Sequence, residues 1–249
     1  MKKIKCFTLA EVLITLSILG VVAAILIPNT IQKITDRQTV TALKKAYATI
    51  DHVLELAQVI EGKETTWTYP SASNWDKKEN KIFLNDKLSK YLNYKSVGTI
   101  THIYKNISGQ KSLLSFGKDY EGRISYIIET KDGMYISFIA TRPNNKTKTY
   151  AATDTHFGAV EIDINGKRGP NKLGYDIFKF PIGENGIIIH KPTWYIGSRD
   201  NDYYSYYVPA NCNFFKPSSS QFDGLSCGYW IMRHNNMDYK YRDVSNEWW

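Results

Sequence analysis

MKKIKCFTLAEVLITLSILGVVAAILIP, residues 1–28, sets three lysines (Lys2, Lys3, Lys5) before an apolar run over 7–27 that holds a single charge, Glu11. Pro28 closes the run. At 1.5 Å per residue the run makes a helix of about 31 Å, enough to cross a bilayer's hydrocarbon core. The basic flank stays cytoplasmic by the positive-inside rule. That orientation predicts a single-pass inner-membrane protein with everything after Pro28 delivered outside. A lone carboxylate near the end of a spanning helix costs about 2.5–3.5 kcal/mol on insertion scales unless something pairs with it. Glu11 is therefore a functional candidate.

Several readings compete for this segment. A cleaved secretory signal has a shorter apolar region followed by a small-residue cleavage site, whereas Ala23 and Ala24 lie inside the run and precede Ile25-Leu26-Ile27. A lipoprotein places its modified Cys after the apolar stretch, and Cys6 comes before it. A plain membrane anchor explains everything except Glu11 and the short leader. The stretch Cys6-Phe7-Thr8-Leu9-Ala10-Glu11 resembles the class III signal of type IV pilin-like and type II secretion pseudopilin precursors: a small residue, then F-T-L-x-E, then a long apolar helix. The family usually has Gly where this chain has Cys6.

The resemblance implies that prepilin peptidase cuts between Cys6 and Phe7 and methylates the new amine of Phe7. It implies self-assembly into a helical filament, driven by inner-membrane pilus or secretion machinery. Glu11 lies about one helical turn from Phe7. In a packed filament its carboxylate would neutralise a neighbour's amine, and removing one partner of such a buried pair typically costs about 3–5 kcal/mol. Glu11 is thus expected to serve assembly. Pro28 removes one helical hydrogen bond and is expected to kink or open the helix, a weak point the family uses when the helix stretches.

The segmentation that follows is a leader over 1–6, a transmembrane and assembly helix over 7–28, an amphipathic helix over 29–62 and a β-rich head over 63–249. In the amphipathic part Ile31, Ile34, Val40, Leu43, Tyr47, Ile50, Leu54, Ala57 and Ile60 recur mostly every three or four residues. Gly62 is a plausible stop. In the head, the β-branched and aromatic stretch over 123–129, the Asp132-Gly133 turn and the stretch over 134–139 read as a hairpin. Residues 159–164 alternate as another strand, residues 187–190 form a short one, and 84–92 a short helical patch. The expected fold class is α+β, pilin-like: a long N-terminal helix whose outer half packs on an antiparallel sheet.

Two further stretches resemble the family. One is the loop Glu161-Ile162-Asp163-Ile164-Asn165-Gly166, continuing to Gly169-Pro170-Asn171 and Gly174-Tyr175-Asp176-Ile177-Phe178. Asp and Asn bond their own backbone in such loops and glycines accept positive φ. Some pseudopilins hold calcium in a loop, and Asp163, Asn165 and Asp176 offer hard oxygens, although no EF-hand pattern is present. Loop chemistry and a calcium site both stand. The other stretch is the pair Cys212 and Cys227, which matches the C-terminal disulfide loop of type IV pilins in a domain outside the cytoplasm. Zinc is the rival, without a second ligand cluster. Residues 229–232 after the pair read as a strand.

Enzyme readings fare badly. Gly224-Leu225-Ser226-Cys227-Gly228 matches G-x-S-x-G, but the partners of a nucleophile elbow do not follow in order. The five histidines are scattered, and no phosphate-cradling glycine loop precedes a helix. The formal charge of +8 falls by three when the leader leaves, and the basic residues are spread evenly along the chain. The run Tyr203-Tyr204-Ser205-Tyr206-Tyr207 and the terminal Trp248-Trp249 are aromatic enough to stack on DNA bases or sugars, or to seal a contact. A minor pilin at a filament tip, binding DNA or a surface, is the alternative to a plain structural subunit.

Overall fold

The computed structural model describes residues 8–63, 67, 83–84, 86–98, 103–115, 127–140, 156–183, 186–187, 193–197, 203–207, 212, 214–215, 223–244 and 246–247. Helix α1 spans Leu9–Glu61, 53 residues, and its assignment continues through Gly20 and Pro28 without a break. The chain divides into two compact units, Met1–Gln38 and Thr39–Trp249.

In the first unit the apolar side chains of α1 face outward: Leu9, Leu16, Leu19, Val21, Ile25 and Leu26 are all more than half exposed. The hydroxyls interspersed among them are satisfied within the helix. Thr15 donates to the carbonyl of Val12 (2.9 Å), Ser17 to Leu13 (2.8 Å) and Thr30 to Leu26 (2.9 Å). Such back-bonding lets hydroxyl residues sit in a spanning helix without an unmet donor in lipid.

In the second unit α1 is amphipathic as its periodicity predicts. Val40, Leu43, Ala46, Ile50, Val53, Leu54 and Ala57 are buried in the core. Gly62, at φ 82°, stops the helix in the left-handed region that a side chain resists. The last helical residue, Glu61, is clamped by the ammoniums of Lys87 and Lys90 and by the Tyr91 hydroxyl at 2.9 Å. Those partners come from the helical patch near 84–92, which the structure bears out at residues 83–84 and 86–88 and in the 3-10 turn Ser89–Tyr91.

The described strands are β1 (Tyr94–Gly98), β2 (Ile103–Lys105), β3 (Lys111–Ser115), β4 (Ile127–Thr130), β5 (Tyr135–Ala140), β6 (His156–Asp163), β7 (Ile177–Gly183), β8 (Gly186–Ile187), β9 (Thr193–Gly197) and β10 (Tyr203–Tyr207). Six of them form one antiparallel sheet in the order β1-β4-β5-β6-β7-β8, and β2-β3 and β9-β10 form two separate pairs. Across β5, β6 and β7 the register aligns Ile136 with Ile162 and Phe178, and Phe138 with Val160 and Phe180. These six residues share the core with α1. The opposite face is buried as well: Ser137, Glu161 and Lys179 lie in one row, with Lys179 Nζ 2.9 Å from Glu161 Oε1.

The Asp132-Gly133 hairpin forms between β4 and β5 as expected. Residues 123–126 and 188–190 of the expected strands lie outside the described residues. The expected strand over 229–232 is a helix instead: α2 spans Cys227–His234 and ends at Asn235 in the left-handed conformation, φ 57°. A short apolar run fits either a strand or a buried helix turn, and packing decides between them. Here Gly228 lets α2 approach β7 so closely that a Cβ would sit 2.6 Å from the Phe180 ring.

Candidate functional site: the helix start and the loop between β6 and β7

Thr8 opens α1 as its N-cap in a reciprocal capping box. Its Oγ1 accepts the Glu11 backbone N–H at 3.3 Å, and Glu11 Oε2 accepts the Thr8 N–H and the Thr8 hydroxyl, each at 2.8 Å. Two helix donors without intrahelical partners are thereby satisfied. The T-x-x-E spacing signals this arrangement, yet the family motif F-T-L-x-E hides it in plain sight. In the single chain the Glu11 carboxylate is thus occupied locally while its residue stays exposed. Cys6 and Phe7, the expected cleavage and methylation positions, lie outside the described residues. Pro28 sits inside α1, and the four-residue hydrogen bond its nitrogen cannot make is absent by chemistry.

The second constellation is the loop that joins β6 to β7. Asp163 Oδ1 accepts the N–H groups of Asn165 (3.1 Å) and Gly166 (2.9 Å). Asp176 Oδ2 accepts the Asn171 N–H at 2.8 Å and the Asn165 Nδ2 amide at 3.2 Å, and its Oδ1 accepts the Lys172 N–H at 2.6 Å. Gly166 holds φ 62°, and a Cβ there would meet the Gly133 carbonyl at 2.5 Å. The three expected residues are therefore brought together, and the loop chemistry read from the sequence is real.

Both carboxylates are buried, Asp163 at 0 % and Asp176 at 3 % exposure. Burial and then the nearby Asp176 charge push the Asp163 carboxyl up to about 8, against the pull of its two N–H bonds. Burial also raises Asp176, opposed by the backbone N–H groups of Lys172 and Asn171 and by the Asn165 amide. Three oxygens in this loop are buried without a hydrogen-bond partner: Asp163 Oδ2, Asn165 Oδ1 and Asn171 Oδ1. Asn171 was missed at the sequence level because nothing in its spacing separates it from an ordinary turn residue. Among the described residues no group of three or more His, Cys, Asp or Glu gathers, so a cation here would meet two carboxylates plus amide oxygens.

Cys212 and Cys227 are joined, with Cα atoms 5.0 Å apart and both residues fully buried. Closing that loop contributes about 3 kcal/mol on the chain-entropy account. The bridge uses the sulfur next to Ser226, which is itself fully buried, so the G-x-S-x-G match presents no accessible nucleophile.

Residues 1–27 match the family model of the prokaryotic N-terminal methylation motif. No curated protein and no solved structure matches the chain. Leu9–Glu61 is long and apolar enough to cross a membrane, and none of its most apolar window is buried within the chain. The chain thus carries a prokaryotic N-terminal methylation motif at the head of a long apolar helix, with an antiparallel α+β head following it in sequence, an arrangement of pilin-like appearance.

Proposed function

We propose that the mature chain is a structural subunit that polymerises through the apolar part of α1 into a type IV pilus or a type II secretion pseudopilus. Prepilin peptidase removes residues 1–6 and methylates Phe7. The observation that carries the reading is an apolar helix left wholly uncovered in the single chain, with one carboxylate at its start and the methylation motif around it. Copies of the same helix are the natural cover. On assembly the Glu11 carboxylate exchanges its local Thr8 donors for the Phe7 amine of a neighbour. The test is filament assembly in cells together with mass spectrometry of the mature chain. Methylated Phe7 at the N-terminus and no filaments from Glu11→Ala support the reading; normal filaments from Glu11→Ala overturn it.

We propose also that the loop between β6 and β7 takes a hard divalent cation, calcium by its oxygen chemistry. Asp163 Oδ2, Asn165 Oδ1 and Asn171 Oδ1 would hold it, and within this loop these are buried oxygens that lack partners. When bound, the cation supplies the positive charge that two buried carboxylates need. Thermal unfolding checks this: calcium should raise the midpoint over chelator, and Asn171→Ala should remove the increment. An equal midpoint with and without calcium would sink it. A second reading of the whole protein is a tip subunit that binds DNA or a surface, favoured by the lysines Lys172 and Lys240 beside the Tyr175 ring.

A further inference from the structure

At the end of α2 an imidazole sits where an added proton is poorly received. The His234 ring stacks on the Trp230 indole, with centroids 3.9 Å apart and planes 19° from parallel. Trp230 is itself buried, and its Nε1 donates to Asn236 Oδ1 at 2.7 Å. Two backbone donors fix the turn that follows: the Asn235 N–H reaches the Ile231 carbonyl at 2.9 Å, and the Asp238 N–H reaches Asn236 Oδ1 at 3.1 Å. Within this frame His234 Nε2 is buried and has no hydrogen-bond partner among the described residues. In a neutral imidazole that nitrogen can stay a bare acceptor. In an imidazolium both nitrogens carry N–H donors, and this one would be a buried donor on a charged ring with nothing to accept it.

The charges around the ring do not repair that deficit. Arg233 precedes it on α2, and Arg242 follows the 3-10 turn Asp238–Lys240. Asp238 and Glu247 also face the ring, but both are committed to Arg242, at 3.2 Å from Asp238 Oδ2 and 2.9 Å from Glu247 Oε2. From α1 the Lys44 ammonium donates to Oδ1 of Asn235, the residue beside His234. Burial first, and then the Arg233 charge, hold the imidazole below the ordinary histidine value, with Arg242 adding and Glu247 and Asp238 opposing.

We propose that His234 is an acid-operated latch on the head. Neutral, it stacks on Trp230 and keeps the end of α2 seated against α1 through the Lys44–Asn235 bond. Protonated by solvent, it leaves the stack and frees that end. A released histidine titrates near 6.5, so the freed state binds more protons as pH falls through that value. The latch is therefore fully closed above about pH 6.5 and weakens as pH falls toward the lower value of the seated ring. The inference goes beyond filament assembly and the cation loop and depends on neither.

The test is hydrogen exchange read by mass spectrometry on the full-length chain in detergent, from about pH 5 to about pH 8, corrected for the intrinsic pH dependence of exchange. Peptides over 227–244 should lose protection below about pH 6.5, by up to about tenfold per pH unit for one proton, while β5 and β6 keep theirs. His234→Gln should remove that loss. His52→Gln, which deletes an exposed ring on α1, should retain it. Every other acid titrates alike in these chains, so the difference between them isolates His234. Arg233→Gln should shrink the loss, because removing a like charge brings the seated ring back toward its ordinary value. Flat protection in the unaltered chain, the same loss in His234→Gln, or a loss spread equally over β5 and β6 would each overturn the latch. Should His234→Gln fail to fold, NMR titration of the ring in the unaltered chain decides, and a midpoint at or above about 6.5 overturns it.

Discussion

The two parts of α1 obey the same helical geometry and opposite solvation rules. Up to Gln38 its large apolar side chains are exposed, Leu19 at 64 % and Ile25 at 62 %. From Thr39 onward one stripe is buried, with Leu43, Ala46, Ile50 and Ala57 all at 0 %. The outer part is solved within one chain, by a sheet whose inner face supplies Ile136, Ile162, Phe178 and Phe180. The inner part is not covered within one chain, and on the proposed function lipid and then other copies cover it. A helix can thus be half a folded protein and half an unfinished interface.

The sharpest way to break this comparison is Glu11→Ala. It should abolish filaments while leaving the unfolding midpoint of the head within about 2 °C, because the capping bonds of Glu11 are to Thr8, within the other compact unit. A head that unfolds early in this variant would erase the distinction between the two parts. Leu43→Ala is the mirror experiment. It should destabilise the head by about 2–5 kcal/mol in denaturant melts, whereas Leu19→Ala should cost the head nothing measurable.

Smaller effects sharpen the picture at the edges of the head. Cys212→Ser with Cys227→Ser should cost about 3 kcal/mol, and a non-reducing peptide map should link the two native cysteines. Two free thiols in that map would disprove the bridge. The least effect is at Glu61, where burial would raise the carboxyl but the bonds from Lys87, Lys90 and Tyr91 outweigh it and hold it at about 2. An unfolded glutamate titrates near 4.3, so the folded state binds fewer protons between the two values. The clamp's contribution is therefore complete above about pH 5 and lost as pH falls toward 2. With solvent screening allowed for, it is worth about 1–2 kcal/mol, and Glu61→Gln should remove that acid-sensitive part of the stability curve. An unchanged curve in the variant would show that the clamp is ornamental.

Legibility in the sequence followed the range of the interactions. The stripe of α1 from Val40 to Ala57 and its stop at Gly62 depend on neighbours within one or two turns, and each could be read directly, whereas the T-x-x-E cap at its start went unread behind the family motif. The Asp132-Gly133 hairpin and the Asx turn at Asp163 are local in the same sense. The failure at residues 229–232 is instructive, because Tyr229, Trp230 and Ile231 are buried all round as α2, where periodicity carries no information. The candidate cation loop was half legible: Asp163, Asn165 and Asp176 announced themselves, but the buried, partnerless oxygen of Asn171 became visible only in three dimensions.

Sequence alone determined the apolar helix, the carboxylate at its start and the methylation motif, because hydropathy and helical spacing are properties of consecutive residues. It also showed basic residues scattered evenly, which is true along the chain and misleading in space. Only the tertiary structure decided that Lys172 and Lys240 share the Tyr175 ring, and that Glu61 is clamped by residues about thirty positions away. Those groupings depend on strand pairing and loop closure across long separations, and nothing in the order of residues encodes a distance until the sheet has formed.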